Sequence, residues 1–282
     1  TATFRFIGDP TAAFAALMAG DVDAFPTYPA PETLPQLEAD PRFRVIVGDT
    51  EGETILAMNN TQPPLDNIKV RQAIAHAINR QDVIDGAMFG YGTPIGSHFS
   101  PSHPDYVDLT QKSAYDPDAA KALLAEAGED PVNLRLALPP TPYARRGGEI
   151  IQAQLAAVGI TTQITNMEWA QWLETVFSGG DFDLTIISHT EPLDIDIYAR
   201  PDYYFHYAKP EFVALMDELE KAVSPEQRSA LYKQAQEMIA DDYVNAFLFQ
   251  LPKTGVANAK IEGLWENAPT QANDLTKVRW TE

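Results

Sequence analysis

Histidine and carboxylate side chains are the residues of this sequence that could support acid–base or metal chemistry. The chain has five histidines and no cysteine. His76 lies on the polar side of a predicted helix without an evident partner, so we interpret it as a solvated side chain rather than a general base. His98 and His103 are five residues apart in a Pro- and Ser-containing loop, which is poor spacing for metal ligands. The candidate metal ligands are His98, His103, His189, Glu191 and His206.

Composition argues against several classes of function. Without cysteine the chain cannot form disulfides, thiolate metal sites or a cysteine nucleophile. It also lacks the G-x-S-x-G sequence that places a serine nucleophile on a sharp turn. We therefore predict that the protein is not an enzyme, and that it has neither a cofactor nor a resident metal.

The charge balance predicts the kind of ligand. The 20 Lys and Arg residues against 40 Asp and Glu residues give a formal net charge of -20. This charge repels phosphate backbones, so we expect no nucleic-acid partner. A cationic or zwitterionic ligand is easier to reconcile with it.

Length and hydrophobicity bound the architecture. The chain has 282 residues, 45% of them hydrophobic, which suits one or two domains with an ordinary core. The sequence contains no apolar run of the length needed to span a membrane, and no recognisable signal peptide. Because the sequence begins at Thr1, a processed or truncated start stays open, and the absence of cysteine leaves the compartment open.

The segment "NNTQPPLDNIKVRQAIAHAINRQDVI", residues 59–84, predicts two helices. Asp66 or Asn67 can cap the first helix, and Asn79 can cap a second one that begins near Gln81. The apolar face of the first helix is formed by Val70, Ala73, Ile74, Ala77 and Ile78. The outward-facing residues are predicted to be Lys69, Gln72, His76 and Arg80.

Helix and strand patterns alternate along the middle of the chain. Helices are predicted from Asp116 to Gly128 and over residues 146–158, and a short one near Trp169. Strands are predicted over residues 132–138, 160–164 and 182–188. Two further helices are predicted to begin at Pro210 and at Ser224, whose capping partner is Gln227. These βαβ-like units indicate an α/β fold.

An irregular stretch over residues 189–207 separates the last predicted strand from the helix at Pro210. It is rich in aromatic and carboxylate residues, and loops of this length usually bind something or are ordered by a neighbour. The alternative is a covering loop that packs Tyr203, Tyr204 and Phe205 onto the core. Both interpretations stay open from the sequence.

Five motifs in order resemble one family. They are "FAALMAGDVDAF" (14–25), "MNNTQPPLDNIKVRQAIAHAINRQDVI" (58–84), "YDPDAAKALLAEAG" (115–128), "IIQAQLAAVGI" (150–160) and "RSALYKQAQEMIADD" (228–242). Together they resemble the bacterial extracellular solute-binding proteins of family 5, the peptide, opine and nickel type that serves ABC importers. Arg71, in the second motif, is then expected to be structural.

The resemblance implies a periplasmic-binding-protein-like type II fold, with one nearly intact lobe and part of the other. Residues 1–52 would belong to lobe one, 53–248 to lobe two, and 249–282 would return to lobe one. The N-terminal part of lobe one would be missing. The implied function is the substrate-binding component of an ABC importer, which binds a small polar solute or peptide by two-lobe closure and meets permease subunits. The implied location is periplasmic, outside the cytoplasm.

The resemblance also implies site residues. Asp194, with Glu191 as the near alternative, takes the place of an aspartate that pairs with the ligand's ammonium group in peptide-binding relatives. Further ligand-binding positions are expected at His189, Tyr143, Arg145 and Trp169. Dipeptide-binding relatives have an arginine where this chain has Thr141, so the ligand class stays open among peptides, opines and related solutes. A nickel or metal-chelate binding protein of the same fold is the alternative.

Overall fold

The computed structural model describes residues 1–129, 131–207, 209–268, 270 and 272–282. The chain divides into two compact units. One consists of residues Thr1–Glu51 and Leu251–Glu282, and the second consists of Gly52–Gln250. The bounds predicted for lobe two were residues 53 and 248, and the assignment of these units to two lobes stays a prediction.

Helices and strands alternate through the described residues. The helices are α1 (Pro10–Ala19), α2 (Leu34–Glu38), α3 (Ile68–Ala77), α4 (Arg80–Met88), α5 (Pro117–Ala127), α6 (Pro142–Ala157), α7 (Trp169–Trp172), α8 (Pro210–Lys221) and α9 (Pro225–Asp241). The strands are β1 (Ala24–Phe25), β2 (Phe43–Gly48), β3 (Glu53–Met58), β4 (Thr93–Pro94), β5 (Val132–Leu138), β6 (Ile160–Asn166), β7 (Leu184–His189), β8 (Asn245–Gln250), β9 (Lys253–Asn258), β10 (Ile261–Glu262) and β11 (Arg279–Trp280). Short 3-10 turns occupy Pro31–Thr33, Thr110–Ser113 and Ile195–Ala199, and a π-helical turn occupies Leu173–Ser178.

The first unit joins both ends of the chain. Its three-stranded sheet has the order β1-β9-β2, with both neighbours antiparallel to β9. Strands β10 and β11 form a separate antiparallel pair. Strand β9 follows the second unit in the chain but pairs with β1 and β2, which precede that unit, so both ends of the chain contribute to one sheet.

The second unit is built on a six-stranded mixed sheet of order β4-β8-β3-β7-β5-β6. Strand β5 is parallel to β6 and β7, whereas β3 is antiparallel to β7 and β8. Every residue of β3 and β8 is buried. Central strands covered on both faces need such apolar runs, because neither face meets water.

Asparagine side chains start the two helices predicted in residues 59–84. Asn67 accepts a hydrogen bond from the backbone of Lys69, and Asn79 accepts from Gln81 and Asp82. Each bond satisfies a backbone N–H that has no partner within its own helix. Both predicted helices are thereby confirmed.

Arginine and histidine side chains from this helix pair are less exposed than predicted. Arg71 donates to the carbonyls of Leu65, Asp242 and Tyr243, which confirms its structural role. The outward orientation predicted for Arg80 is wrong, because this side chain is buried. His76 is half-buried and has a partner that the sequence did not show, since its Nδ1 lies 2.8 Å from the carbonyl oxygen of Ala114.

Two other element bounds differ from the sequence prediction. Helix α6 begins at Pro142 rather than near Arg146, because proline fits the first helical turn, where its missing N–H costs nothing. The short helix at Trp169 continues into a π-helical turn that ends at Ser178. In the irregular stretch, Tyr204 and Phe205 are buried in the core, as the covering-loop interpretation predicts.

Candidate functional site

Three neighbouring inner strands of the large sheet, β8, β3 and β7, each have one end on the same side of the sheet, which we call the strand-end edge. Glu53 begins β3 and pairs with His189 at the end of β7 and with Gln250 at the end of β8. The chain enters the second unit just before Glu53 and leaves it just after Gln250. This strand-end edge therefore brings together residues that are far apart in sequence.

A carboxylate–histidine cluster lies at this edge. It consists of Glu53, His98, His189, Glu191 and Asp194. Ligand atoms of Glu53, His98 and Asp194 lie within 4.8 Å of one another, and so do those of His189, Glu191 and Asp194. Asp194 belongs to both groups and is therefore the centre of the cluster.

Asp194 has a different partner on each carboxylate oxygen. Its Oδ1 lies 2.8 Å from His98 Nε2, and its Oδ2 lies 3.9 Å from His189 Nδ1. The side chain is 15% exposed, whereas His98 is fully buried. Burial alone would raise the pKa of Asp194, but its electrostatic interaction and its hydrogen bond with His98 lower it below its usual range. Asp194 is thus an ionised carboxylate with limited access to solvent.

His189 is buried between tyrosines. Its Nε2 lies 3.0 Å from the hydroxyl of Tyr204, its Nδ1 lies 3.4 Å from that of Tyr203, and the Tyr204 ring is stacked 6.1 Å away. Burial, reinforced by nearby His98, lowers the pKa of His189 to about 4 even though Asp194 raises it. His189 is therefore a neutral imidazole near neutral pH.

The neutral state of His189 predicts a pH dependence of stability. In the unfolded chain this histidine takes up a proton near pH 6.5, whereas the folded chain resists it down to about pH 4. The unfolded state thus binds more protons in that window, so the free energy of unfolding decreases as pH falls from about 6.5 to about 4. Chemical denaturation across this range should show a smaller decrease in His189→Gln than in the original chain. His103→Gln is the matched histidine replacement, and an equal change in slope in both variants would contradict the assignment.

The other predicted ligand-binding residues have different settings. Glu191 is exposed, and its Oε2 accepts from the backbone N–H of Thr190. The hydroxyl of Tyr143 accepts from the backbone N–H of Ser188, directly beside His189. The structure therefore brings Asp194, Glu191 and His189 into one cluster and places Tyr143 next to it.

Arg145 and Trp169 point to other neighbours. Arg145 pairs with Glu168 at 3.1 Å. Trp169 is 44% exposed, and its ring meets Trp172 edge-on at 5.8 Å. Trp172 in turn contacts the ring of Tyr204, which stacks on His189. Neither Arg145 nor Trp169 is part of the cluster, and a ligand role for them stays a prediction.

Sequence reasoning listed His98 among the candidate metal ligands but did not predict its contact with Asp194. The two residues are 96 positions apart in the chain. The pairing depends on β4, which follows α4 and pairs with β8. No local spacing encodes such a contact, so the sequence pattern alone had no signal for it.

Two histidines that the sequence offered as metal ligands lie elsewhere. His103 packs on the Phe99 ring at 4.3 Å, and its Nδ1 accepts from the backbone of Asp105. His206 Nδ1 lies 3.2 Å from Asn59 Oδ1. The remaining candidates, His98, His189 and Glu191, are in the cluster, where imidazole and carboxylate donors suit a divalent cation.

Comparison with known proteins identifies the family. The family model described as "Bacterial extracellular solute-binding proteins, family 5 Middle" matches residues 1–210. The chain belongs to this family. Its members are solute-binding proteins of ABC transporters. Among the described residues, no helix is long and apolar enough to cross a membrane.

Two relatives of this chain are named for different ligands. Heme-binding protein A of Haemophilus influenzae is 28% identical over 249 residues, which cover 83% of this chain and 45% of that protein. The dipeptide-binding protein of Escherichia coli is 31% identical over 185 residues, which cover 64% of this chain and 34% of that protein. The chain thus spans less than half the length of these two family relatives.

A solved structure supports the fold. The periplasmic binding protein DppA of Helicobacter pylori, in complex with the peptide STSA, aligns with a TM-score of 0.86 at 24% identity. The alignment covers 99% of this chain and 56% of that protein. The predicted α/β, periplasmic-binding-protein-like type II fold is thereby confirmed.

Proposed function

We propose that this chain is a substrate-binding component of an ABC importer that acts outside the cytoplasm, in the periplasm, and is a binding protein rather than an enzyme. Its ligand is a small solute with a protonated amine, such as a peptide, an opine or a related compound. Family membership supports the transport role. The two-lobe closure and the contact with permease subunits that the resemblance implies are part of this proposal.

The observation that carries the ligand proposal is the pair of carboxylates after β7. Asp194 is ionised and partly accessible, and the exposed Glu191 lies within 4.8 Å of it, measured between ligand atoms. Two negative groups in one partly desolvated place favour a cation, which they hold through charge-assisted hydrogen bonds. We therefore assign the ligand's ammonium group to Asp194 and Glu191.

The contacts of the two arginines in α6 support a ligand that does not need a carboxylate group in order to bind. The segment between β5 and α6, residues 139–141, is Pro-Pro-Thr and contains no basic residue. In the first turns of α6, Arg145 is paired with Glu168 and Arg146 lies over the Phe89 ring at 4.9 Å. These two contacts lie outside the carboxylate–histidine cluster, which supports a ligand that needs no carboxylate there.

Three peptide probes test this assignment. Alanyl-alanine amide carries only the ammonium group, alanyl-alanine carries both charges, and N-acetyl-alanyl-alanine carries only the carboxylate. Calorimetry is expected to show that the amide binds at least as tightly as the free dipeptide, and that the acetylated probe binds at least about tenfold more weakly than either, because it lacks the charged donor. Preferred binding of the acetylated probe would refute an ammonium site.

A second candidate function is binding of a metal chelate. His189, Glu191 and Asp194 offer one nitrogen and two carboxylate ligands, and a neutral imidazole has a free lone pair for a metal. The matched experiment is calorimetric titration with Ni²⁺ or Zn²⁺ in place of the peptide probes. Tight metal binding together with no response to amines would favour this second function over the first.

A further inference from the structure

A chain of hydrogen bonds runs from strand β3 to Asp194, and its direction can be read from the geometry. The backbone N–H of Met58 donates to Asn245 Oδ1 at 3.1 Å. This bond fixes the amide of Asn245, so its Nδ2 is the atom 3.2 Å from the hydroxyl oxygen of Tyr198. Because an amide nitrogen only donates, the Tyr198 oxygen is the acceptor.

The hydroxyl of Tyr198 determines which ring nitrogen of His98 carries the hydrogen. The hydroxyl of Tyr198 lies 3.2 Å from His98 Nδ1, and a phenol keeps its hydrogen at neutral pH. Having accepted from Asn245, the hydroxyl donates its own hydrogen to Nδ1. A neutral His98 must then carry its hydrogen on Nε2, which donates to Asp194 Oδ1 at 2.8 Å.

The opposite tautomer conflicts with these contacts. A hydrogen on Nδ1, in the neutral ring or in an imidazolium, would make Tyr198 accept from both Asn245 and His98. In the neutral ring it would also direct the lone pair of Nε2 at an oxygen of the Asp194 carboxylate. Because His98, Tyr198 and Asn245 are buried, water cannot relieve this repulsion.

We infer that Asn245, Tyr198 and His98 are positioning residues that commit Oδ1 of Asp194 to His98 and leave Oδ2 as the acceptor for a ligand amine. This inference rests on the proposed function for its ligand, but the hydrogen-bond direction does not depend on it. The arrangement selects a ligand that donates hydrogen bonds, because Oδ1 already accepts from His98 and a carboxylate oxygen acts as an acceptor.

The donor–acceptor order of these hydrogen bonds also disfavours a metal ion between Glu53, His98 and Asp194. A metal bound there needs the lone pair of His98 Nε2, the atom that carries the hydrogen in this chain. Binding would require the tautomer to switch and Tyr198 to turn its hydroxyl away from Nδ1. The ligand class assigned to this position is therefore a protonated amine.

Nuclear magnetic resonance of the histidine rings tests the inference without any ligand. The chain is labelled with ¹⁵N-histidine, and long-range ¹H–¹⁵N correlations report which ring nitrogen carries hydrogen. With only five histidines, the His98 signals are assigned from their loss in His98→Gln. We expect the Nε2–H tautomer at neutral pH, unchanged on addition of Zn²⁺. The Nδ1–H tautomer, an imidazolium, or loss of the Nε2 hydrogen with Zn²⁺ would overturn the inference.

A pair of substitutions tests the positioning role. Glutamine at position 98 can still donate to Asp194, whereas leucine cannot. Using alanyl-alanine amide as the probe, His98→Leu is expected to bind about tenfold more weakly, and His98→Gln within about threefold of the original chain. Equal affinities of the two variants would contradict positioning through a donated hydrogen bond. If the probe does not bind the original chain at all, the proposed function fails, and the tautomer measurement still decides the hydrogen-bond direction.

Discussion

Asp194→Asn is expected to weaken the binding of alanyl-alanine amide by roughly ten- to a hundredfold. The substitution keeps the size of the side chain but removes its charge and places an amide group against the ligand's ammonium. Loss of one charge-assisted hydrogen bond in a partly desolvated site costs about 1.5 to 3 kcal/mol, which corresponds to that range of affinity. Calorimetric titration of the purified variant measures the change.

Asp196→Asn is the matched control for this experiment. Asp196 is two residues away, is half exposed, and pairs on the surface with Arg200. Its replacement should leave the affinity within about twofold, because exposed ion pairs contribute little. An unchanged affinity in Asp194→Asn, or equal losses in both variants, would remove Asp194 from the ligand site.

Arg80→Met is expected to lower the free energy of unfolding by about 3 kcal/mol. Arg80 donates to the carbonyl of Phe247 at 2.7 Å and to the carbonyl of Ser113 at 2.9 Å, and burial lowers its pKa to about 10. Methionine keeps the apolar stem but leaves both buried carbonyls without this donor. Denaturant titration monitored by circular dichroism measures the difference.

Arg200→Met is the matched control for the stability measurement. Arg200 is more than half exposed and makes its ion pair with Asp196 four residues earlier. Its loss should cost less than about 1 kcal/mol. If Arg80→Met costs no more than Arg200→Met, the buried hydrogen bonds of Arg80 do not have the structural weight assigned to them.

The position of Arg80 shows where periodicity fails. The sequence prediction extended the polar face of α3 through Arg80, but α3 ends at Ala77 and Asn79 starts a new helix. Residues beyond the break no longer follow the 3.6-residue repeat of the first helix. By contrast, the cap at Asn79 was predicted correctly, and Asn67 was one of the two candidates for the first cap, because capping depends on contacts only two or three residues away.

The candidate site was predictable only in part, for a similar reason. The loop after β7 could be singled out because its length and its carboxylates are visible in the sequence. The hydrogen-bond partners of Asp194 could not, since His98 and Tyr198 meet only after the large sheet and the turn at Ile195–Ala199 have formed. Family resemblance supplied Asp194 as a position, and the structure supplied the contacts that hold it.

The most direct test of the central claim is where an amine probe contacts the chain. The ¹⁵N-labelled chain is titrated with alanyl-alanine amide, and backbone amide shifts are followed. The control is N-acetyl-alanyl-alanine, whose N-terminus is an uncharged amide. We expect the amide probe to shift signals around residues 188–194, together with those of Glu53 and His98, and the acetylated probe to leave them unchanged. Shifts confined to other parts of the chain, or the same shifts with both probes, would contradict an ammonium site at Asp194 and Glu191.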